Sequence, residues 1–425
     1  MGKVLDSLKQ RGMFSQTTNE EEVARLLDTP GNAIYVGFDP TADSLHVGHM
    51  LPIMGLAMLQ RAGHIPIALV GGATGMVGDP SGRSTERNLL TSDEVRHNSE
   101  RIKVQLERFL DFECENAAVM VNNADWTEKL TAIEWLRDVG KHFSVNYMLG
   151  KESVRRRLED RDSGVSYTEF SYMILQSYDF LQLFKRYRCR LQAGGSDQWG
   201  NITAGIDLIR RVEGAEAFGV TFPLVTTSSG EKFGKSAGNA VWLDPARTSP
   251  YRFYQYWLQT EDSDVAKFLG FFSFLPWEEI QAIVAEHMAT PERRIGQKRL
   301  AEEVTRLVHG EEELQRAINA SKALFGGSLT GLERRDLEDI FADVPSSTLP
   351  ASDLQTGLTL TDILVKSGMC QSNGEARRLV QGGGVYVNNE RAADAMASIG
   401  TDSLLAGFAV VLRSGKKNYR LVRFN

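Results

Sequence analysis

The sequence predicts an α/β protein in which a parallel sheet, covered by helices, is followed by a helical domain and a small C-terminal domain. From Ala33 onward, short apolar runs alternate with helix-like segments: AIYVGF, then DPTADSLHVGH, then IPIALVGG. A second helical region begins after Pro250, and the charge of the chain changes sign near its C-terminus. These three observations set the expected order of the domains.

The parallel sheet follows from the order strand, helix, strand, because a crossover helix places the two strands side by side in the same direction. In such sheets, ligands bind at the carboxyl ends of the strands. Three segments come directly after predicted strands and are expected at that edge: residues 37–41, 71–79 and 194–198.

Composition divides the rest of the chain. Residues from about 125 to 190 are bulky and helical in pattern, and we expect them to form a helical insertion in the sheet domain. Residues 326–357 are rich in Gly, Ser, Pro and acidic residues, which is typical of a linker. We therefore expect a sheet domain at 1–225, a helical domain at 226–325, this linker, and a C-terminal domain at 358–425.

The overall composition is that of an ordinary globular protein. Of 425 residues, 42% are hydrophobic and 24% are charged, and no run approaches the ~18 apolar residues of a membrane helix. The N-terminus lacks the apolar core of a signal peptide. The three cysteines lie far apart, so neither a CxxC metal pair nor a disulfide framework is indicated. We expect no membrane segment, no protein-bound metal and a cytoplasmic location.

Charge is distributed unevenly along the chain. Residues 360–425 carry nine Lys and Arg against five Asp and Glu, a net charge of +4, whereas the whole chain has a net charge of −7. After Leu405 there are five cations and no acid, interleaved with aromatic residues. Two interpretations stay open: a solvated face of a β-hairpin, or a surface that contacts the phosphate backbone of a nucleic acid.

Two histidines, His46 and His49, lie three residues apart at the expected first turn of the helix after the first strand. At this spacing both rings share one helix face, close to backbone N–H groups that favour anions. Imidazole N–H donors there can stabilise charge on a transferring phosphoryl group, and Gly48 lets a nucleotide approach the backbone. A pair of structural histidines is the main alternative, whereas a metal pair lacks further ligands nearby.

Two lysines, Lys232 and Lys235, lie in the sequence GEKFGKS, residues 230–236, which is called the lysine segment below. Lysines three residues apart are suited to holding the β- and γ-phosphates of a triphosphate. The segment is not a Walker A loop, because Ser229 stands where that motif needs glycine. Alone it is equally compatible with a solvated loop, and only its pairing with the early histidines indicates nucleotide chemistry.

The early histidine pair and the late lysine segment resemble the two signature sequences of class I aminoacyl-tRNA synthetases. Within that class, five motifs in order are similar to the bacterial tyrosine-specific synthetases: YVGFDPTADSLHVGH, VGGATGMVGDPSG, YTEFSYMILQSYDF, GGSDQWGNI and KFGKS. The similarity runs from the N-terminal helix to the C-terminus. The segment TLTDILVKSGMCQSNGEARRLVQGGGVYVNN is similar to an RNA-binding domain found in a small-subunit ribosomal protein.

The resemblance implies a fold and a set of partners. A Rossmann-type catalytic domain would carry a helical insertion that forms a homodimer interface near FSVNYML. A helical domain on the anticodon side and a small α+β, ribosomal-protein-like RNA-binding domain would follow. The substrates would be L-tyrosine, ATP with its Mg²⁺ ion, and tRNA(Tyr). The expected RNA contacts are Arg377, Arg378, Arg413, Lys416 and Lys417.

The resemblance also implies roles for individual residues. Tyr35 and Asp179 would bind the phenol hydroxyl of the substrate, and both would be left unpaired by a side chain without that hydroxyl. The ammonium and carboxylate groups of tyrosine would contact Asp79, Tyr172, Gln176 and Gln198. ATP would contact Asp39, Thr41, His46, Gly48, His49, Gly195, Asp197 and Lys235. The catalytic groups would be His46, His49, Lys232, Lys235, Arg83 and Arg87.

The implied reaction activates tyrosine with ATP and then esterifies tRNA, and two alternatives stay open beside it. A tryptophan-specific synthetase has a similar core, but an indole offers no hydroxyl to Tyr35 and Asp179. A non-catalytic RNA-binding paralogue would have lost catalytic side chains, yet His46, His49 and Lys235 are present.

Overall fold

The computed structural model describes residues 2–81, 90–151, 154–155, 158, 165–228, 233–236, 239–323, 326–342, 344–415 and 418–425, with the backbone alone at 235, 236 and 239. The chain divides into two compact units, Met1–Arg247 with Gln259–Val308, and Thr248–Leu258 with His309–Asn425. The first unit is built on a six-stranded sheet and the second on a five-stranded sheet. In these described ranges, no helix is long and apolar enough to cross a membrane.

The sheet of the first unit has the strand order β1-β6-β5-β2-β3-β4. Its strands are β1 (Gln16–Thr17), β2 (Ala33–Phe38), β3 (Ile65–Val70), β4 (Val119–Asn122), β5 (Leu191–Gly195) and β6 (Phe218–Phe222). Strands β2 to β6 run parallel, and β1 is antiparallel to β6. The predicted parallel α/β architecture is therefore confirmed.

The strand order reverses at β2. The chain first adds β3 and β4 on one side of β2, and then β5 and β6 on the other side. A crevice opens at the carboxyl ends of β2 and β5, because the connections diverge there. In the register of this pair, Tyr35 of β2 lies beside Gln192 of β5.

The central strands read as nearly continuous apolar runs because helices cover both faces of the sheet. Five of the six residues of β3 are buried. Helix Met50–Arg61 contacts β2, β3 and β5 and buries nine of its twelve residues. The other α-helices described in this unit are Lys3–Gln10, Glu20–Leu27, Thr74–Val77, Ser92–Leu106, Ala124–Thr127, Ala132–Glu134, Val145–Leu149, Tyr167–Tyr187, Trp199–Glu213, Asp262–Phe272, Trp277–Ala289 and Ile295–His309, the last ending one residue inside the second unit.

The described residues between β4 and β5 are largely helical. They include a π-helical turn, Trp135–Val139, and the long helix Tyr167–Tyr187, which Ser166 caps at its N-terminus. The buried face of this helix includes Tyr172 and Asp179, two turns apart and therefore on the same side. The insertion thereby supplies three of the predicted site residues, because Gln176 lies on the same helix.

The sheet of the second unit has the strand order β11-β10-β12-β13-β9. Its strands are β9 (Ser346–Leu349), β10 (Val385–Val387), β11 (Glu390–Arg391), β12 (Ala409–Ser414) and β13 (Asn418–Phe424), whereas the hairpin β7 (Lys235–Ser236) and β8 (Asn239–Ala240) belongs to the first unit. The helices described in the second unit are Pro250–Leu258, Glu311–Ala323, Arg334–Ile340, Ser352–Gln355, Leu360–Lys366 and Asn373–Gln381.

Alternate residues of β12 serve two separate cores. Val410 and Leu412 lie in one core, together with the helices that follow β9, and Ala409 and Val411 lie in the other. Successive side chains of a strand point to opposite faces, so one strand can be buried on both sides. The helices that precede β9 supply the second core with Tyr251, Ala320, Leu337, Ile340 and Phe341.

The structure differs from the expected linker at residues 326–357. Helix Arg334–Ile340 lies within these residues, and β9 pairs in parallel with the C-terminal strand β13. Leu337, Ile340 and Phe341 are buried. Their spacing of three and four residues forms an apolar helix face, which orders the segment despite the loop-like composition around it.

Candidate active site

A cavity of about 310 Å³ opens at the carboxyl ends of β2 and β5. It lies where the strand order reverses, which is the place predicted from the sequence. All residues predicted to contact tyrosine line it, and so do those predicted to contact ATP, other than Lys235, whose side chain is not described. These lining residues are Tyr35, Asp39, Thr41, His46, Gly48, His49, Asp79, Tyr172, Gln176, Asp179, Gly195, Asp197 and Gln198.

One end of the cavity holds a buried carboxylate, Asp179, which is 2% exposed. Its oxygens accept hydrogen bonds from the Trp126 indole N–H at 2.8 Å and from the Asn123 amide at 2.9 Å. Burial raises the pKa of Asp179 to about 7, although these two donors act in the opposite direction. A further donor from a ligand would favour the ionised form.

Tyr35 lies at the same end of the cavity, on β2, and is 1% exposed. Its hydroxyl is buried and has no hydrogen-bond partner among the described residues. Burial, together with the nearby Asp179 carboxylate, holds the pKa of Tyr35 well above its usual value, so the hydroxyl keeps its proton. A buried hydroxyl without a partner costs about 1–3 kcal/mol. This end of the cavity is therefore suited to a ligand that supplies the missing contact.

A chain of hydrogen bonds connects Asp179 with Tyr172 along the cavity wall. Asn123 donates to Asp179 and to the Thr74 hydroxyl, at 2.9 Å in each case. Thr74 donates to one oxygen of Asp39 at 2.7 Å, and the Tyr172 hydroxyl donates to the other at 2.8 Å. Burial and the Asp39 charge hold the pKa of Tyr172 well above its usual value. Both oxygens of Asp39, which the resemblance assigns to ATP, thus accept hydrogen bonds within this network.

A second polar cluster lines the cavity around Asp79. The Gln198 amide donates to one oxygen of Asp79 at 2.7 Å, and the Ser81 backbone N–H donates to the other at 2.9 Å. Asn201 donates to the amide oxygens of Gln176 and Gln198 at 3.0 and 3.2 Å. Asn201 thus orients both amides, and each glutamine also carries an NH₂ group that can donate to a ligand.

Asp197 lies beside this cluster, in the 3₁₀ turn Ser196–Gln198 that follows β5. Burial, reinforced by Asp79, raises the pKa of Asp197. Two neighbouring carboxyl groups concentrate acceptor oxygens at this part of the cavity. Such a site suits ligand groups that donate, namely an ammonium group or hydroxyls.

The two predicted histidines are oriented by the backbone of their own turn. The Gly48 N–H donates to Nδ1 of His46 at 3.0 Å, and the His46 N–H donates to Nδ1 of His49 at 3.2 Å. In both neutral rings Nδ1 is therefore an acceptor, which places the ring proton on Nε2. A Cβ on Gly48 would lie 2.7 Å from the His46 ring, so this close approach requires glycine. The turn thus presents two Nε2–H donors.

The lysine segment contacts the histidine turn directly. Gly234 has a φ of +88°, and a Cβ there would lie 3.3 Å from the Gly48 nitrogen. The Val241 N–H donates to the Gly234 oxygen, and the Val47 N–H donates to the Val241 oxygen, at 2.9 Å each. Backbone hydrogen bonds therefore join the two signature sequences, which lie far apart in the chain.

Helix Asp262–Phe272 holds the residues around the lysine segment. Its Asp264 accepts from the backbone N–H and the hydroxyl of Ser228, at 2.8 and 3.0 Å, and pairs with Lys267 at 2.8 Å. Burial raises the pKa of Asp264, but the hydrogen bonds from Lys267 and Ser228 outweigh it, so the pKa is lowered. Phe233 packs against two phenylalanines of the same helix. The chain is thus anchored on both sides of Lys232.

Several predicted residues lie outside the described residues: Arg83, Arg87, Lys232, Lys416 and Lys417. Lys235 is described by its backbone alone, in β7. The roles assigned to these side chains stay predictions.

Several polar residues around the cavity were not predicted, Ser81 and Asn201 among them. Thr74 and Gln192 line it, whereas Asn123 and Trp126 hold Asp179. Gln192 is 2% exposed, and in the described part of the chain its amide oxygen has no partner. Thr74 and Asn123 follow the carboxyl ends of β3 and β4, so the strand-end rule contained the signal for both.

The predicted RNA contacts that the structure describes lie in the second unit. Arg377 and Arg378 are exposed on helix Asn373–Gln381. The guanidinium carbon of Arg413 lies 3.6 Å from the centre of the Tyr386 ring, and this arginine is only partly exposed. The helix arginines are therefore open to a polyanion, whereas Arg413 is partly engaged in packing.

Comparisons with known proteins identify the family of the chain. Residues 28–326 match the family model for class I tRNA synthetases of the W and Y group, and residues 336–422 match the model for the C-terminal domain of SYY-like tyrosine–tRNA ligases. A tyrosine–tRNA ligase of Roseiflexus castenholzii is 52% identical over 425 residues, covering 100% of both chains. Tyrosine–tRNA ligase 1 of Bacillus subtilis is 53% identical over 427 residues, with the same coverage.

A solved structure supports the same assignment. The crystal structure of a C-terminally truncated mitochondrial tyrosyl-tRNA synthetase from Aspergillus nidulans has a TM-score of 0.69 and 33% identity, and covers 76% of this chain and 94% of its own. The fold and the two joined signature sequences define a class I tRNA synthetase. With half of its residues identical along the whole length of the bacterial relatives, the chain belongs to the tyrosine–tRNA ligases.

Proposed function

We propose that the protein activates L-tyrosine with ATP to form tyrosyl-adenylate and pyrophosphate, and then transfers the tyrosyl group to the 3′ end of tRNA(Tyr). One observation carries this proposal: the unpartnered Tyr35 hydroxyl is buried beside the Asp179 carboxylate. A phenol can donate to the carboxylate and accept from the hydroxyl, so it satisfies both groups at once. The names of the bacterial relatives, tyrosine–tRNA ligase, support the same substrate.

The same pair of residues favours tyrosine over other aromatic amino acids. With phenylalanine, Tyr35 stays unpartnered and Asp179 gains no donor, and a buried polar group left unsatisfied costs about 1–3 kcal/mol. The indole of tryptophan supplies a donor for Asp179 but no acceptor for the Tyr35 hydroxyl. Selectivity in this proposal therefore depends on the phenol oxygen serving as both donor and acceptor.

The second polar cluster is proposed to bind the backbone groups of the amino acid and the ribose of ATP. The oxygens of Asp79 and Tyr172 accept from the ammonium group, and the amides of Gln176 and Gln198 donate to the carboxylate. Asp197 accepts from the ribose hydroxyls. This arrangement is supported by the amide orientations, since Asn201 donates to both glutamine oxygens.

Activation is an in-line displacement at the α-phosphorus of ATP. A carboxylate oxygen of tyrosine forms a bond to this phosphorus, the bond to the bridging oxygen breaks, and pyrophosphate leaves with the electron pair. His46 and His49 stabilise the charge on the α-phosphate oxygens with their Nε2–H groups. Positioning and charge stabilisation drive this step, so it needs no general base. The cations proposed to hold the pyrophosphate are Lys232, Lys235, Arg83 and Arg87.

Magnesium is proposed to enter with ATP, as part of the substrate, because phosphate oxygens and water are the ligands that this ion prefers. Thr41, Gly48 and Gly195 line the same cavity and are proposed to contact the nucleotide, Gly48 through its backbone. ATP and tRNA also suggest a cytoplasmic location for the enzyme, which we include in the proposal.

In the second step, a ribose hydroxyl at the 3′ end of the tRNA attacks the tyrosyl carbonyl, an ester forms, and AMP leaves. The exposed Arg377 and Arg378 are proposed to contact the phosphate backbone of the same tRNA. In this proposal residues 358–425 form the RNA-binding domain, and the helices within 226–325 lie on the anticodon side.

We also propose a homodimer formed through the helical insertion. Large apolar side chains are exposed there: Ile133 at 68%, Leu136 at 55% and Val145 at 59%. Exposed apolar side chains concentrated in one region are typical of protein–protein interfaces. Sedimentation of the wild-type protein and of Val145→Glu tests this part, because a buried charge should dissociate the dimer.

Amino-acid-dependent exchange of labelled pyrophosphate into ATP tests the activation step, with tyrosine, phenylalanine and tryptophan in parallel and without tRNA. Exchange with tyrosine alone is the expected result. Exchange with tryptophan would contradict the proposed pocket while keeping the fold. No exchange with any of the three, in a folded sample supplied with magnesium, would indicate a non-catalytic RNA-binding paralogue.

A further inference from the structure

An aromatic side chain just after β8, Trp242, lies against His46. The two residues are paired in an isolated antiparallel bridge. Their rings lie 5.8 Å apart at 73°, the edge-to-face arrangement that aromatic rings favour. The flanking residues fix this register with two backbone hydrogen bonds of 2.9 Å, from Val47 N–H to the Val241 oxygen and from Leu243 N–H to the Leu45 oxygen.

Trp242 is itself held on a second side. The guanidinium carbon of Arg247 lies 4.5 Å from the centre of the indole ring, and Arg247 forms an ion pair with Asp43. Asp43 lies three residues before His46 in the chain, so the contacts form a closed loop: Asp43, Arg247, Trp242 and His46. Such a loop restricts the indole to one orientation.

Contacts with neighbouring rings restrain the tilt of the His46 imidazole, which its backbone hydrogen bond does not fix. The hydrogen bond from Gly48 to Nδ1 decides which nitrogen of His46 carries the proton. By itself, that hydrogen bond does not fix the tilt of the imidazole about the contact. The His46 ring lies 4.0 Å from the His49 ring and 5.8 Å from Trp242, and these two neighbours limit the tilt.

We infer that Trp242 is a positioning residue for tyrosine activation: it orients the His46 imidazole so that its Nε2–H faces the α-phosphate oxygens of ATP. This inference rests on the proposed function of His46. A hydrogen-bond donor must be aligned with the oxygen on which charge develops, and small displacements of catalytic groups lower rates strongly. The indole contacts the imidazole and does not line the cavity, so it acts through His46.

The same residue links the alignment of His46 to the lysine segment. Trp242 follows Val241, whose N–H donates to Gly234 of the lysine segment at 2.9 Å. A displacement of that segment is therefore transmitted through one residue to the ring that orients His46. The lysine segment, proposed to bind the pyrophosphate, and His46, proposed to bind the α-phosphate, are therefore both held by the residue pair Val241 and Trp242.

The first experiment measures tyrosine-dependent pyrophosphate exchange for Trp242→Leu and Trp242→Phe. We expect Trp242→Leu to lower kcat about tenfold, which corresponds to about 1.4 kcal/mol, with the KM for tyrosine unchanged. Trp242→Phe keeps an aromatic ring and should recover most of kcat. The matched control is Trp277→Leu, which removes an indole at the start of helix Trp277–Ala289 and should leave exchange unchanged. Equal losses for the Leu and Phe variants, or a loss confined to the KM for tyrosine, would overturn the inference.

A double-mutant cycle separates this inference from the proposed function. If Trp242 acts through His46, then His46→Ala and the double variant His46→Ala/Trp242→Leu should differ by less than about twofold. Additive losses would overturn the positioning role while leaving the role of His46 intact. An unaltered kcat in His46→Ala would remove the proposed role of His46, and the inference with it. If Trp242→Leu does not fold, Arg247→Ala is the second variant, and it should lower kcat in the same direction by about two- to threefold.

Discussion

Replacing Asp179 by Asn tests whether this carboxylate selects the substrate phenol. The two oxygens of Asp179 already accept from Trp126 and Asn123, at 2.8 and 2.9 Å, and in our proposal they also accept from tyrosine. An asparagine has one oxygen and an NH₂ group in the same place, so it cannot accept from all three donors. A hydrogen bond to a charged acceptor contributes about 1.5–3 kcal/mol. We therefore expect kcat/KM for tyrosine to fall about 10- to 150-fold.

The assay is pyrophosphate exchange over a range of tyrosine and phenylalanine concentrations. Phenylalanine donates nothing to Asp179, so its kcat/KM should change by less than about threefold. The control is Asp336→Asn, which alters another buried carboxylate, one that pairs with Arg316 at 3.1 Å in the second unit. This control should keep the ratio of the two kcat/KM values. A wild-type ratio in Asp179→Asn would refute the assignment of the phenol contact.

Four further predictions rest on the described contacts. Because burial raises the pKa of Asp179 to about 7, its ionised acceptor form is lost as the pH falls through that value. The Kd for tyrosine, measured by equilibrium dialysis, should therefore rise as the pH falls. Asp179→Asn should abolish this pH dependence. In the ligand-free protein the effect of pH on folding stability has the opposite sign. Because the pKa of Asp179 is raised in the folded state, its contribution to the free energy of unfolding is present below pH 3.8 and is lost as the pH rises through about 7. Denaturant unfolding at a series of pH values can measure this loss. Asp264→Asn should lower kcat for exchange about three- to tenfold by weakening the anchor on Ser228, with tyrosine binding unchanged, and an unaltered kcat would contradict it. Arg377→Glu with Arg378→Glu should weaken tRNA charging at least about tenfold and reduce its salt dependence while sparing exchange, whereas an equal loss of both activities would indicate a structural role.

The location of the site could be predicted from the sequence, but its internal contacts could not. Strand ends indicate the edge at which Asp79 lies, because parallel strands bring their carboxyl ends to one edge. Tyr35, within β2, and Asp179, on a helix, could be assigned only from the resemblance of the sequence to a known family. Trp126 donates to Asp179 from a short helix after β4, and no periodicity or spacing indicates such a contact. The contacts of Asp39 could not be predicted either, because its position in a motif does not reveal that Thr74 and Tyr172 donate to its oxygens.

The fold shows a related limit at residues 326–357. Loop-like composition there conceals the spacing of Leu337, Ile340 and Phe341, which is a helical signal only five residues long. Such a short signal carries little weight in a sequence, because one turn of helix is stable only when another surface covers it. In the structure that surface is provided by β12 and β13, which lie much later in the chain.

The two-sided burial of the C-terminal sheet has a consequence for synthesis. Tyr251 and Leu337 share a core with β12 and β13, so this core cannot close until the last residues of the chain have been made. At about 5–20 residues per second, helix Pro250–Leu258 leaves the peptidyl transferase centre roughly 10–30 s before its partners. During that interval its apolar face stays open to chaperones and to aggregation. Premature termination that removes only β13 would therefore also deprive helices made much earlier of their core.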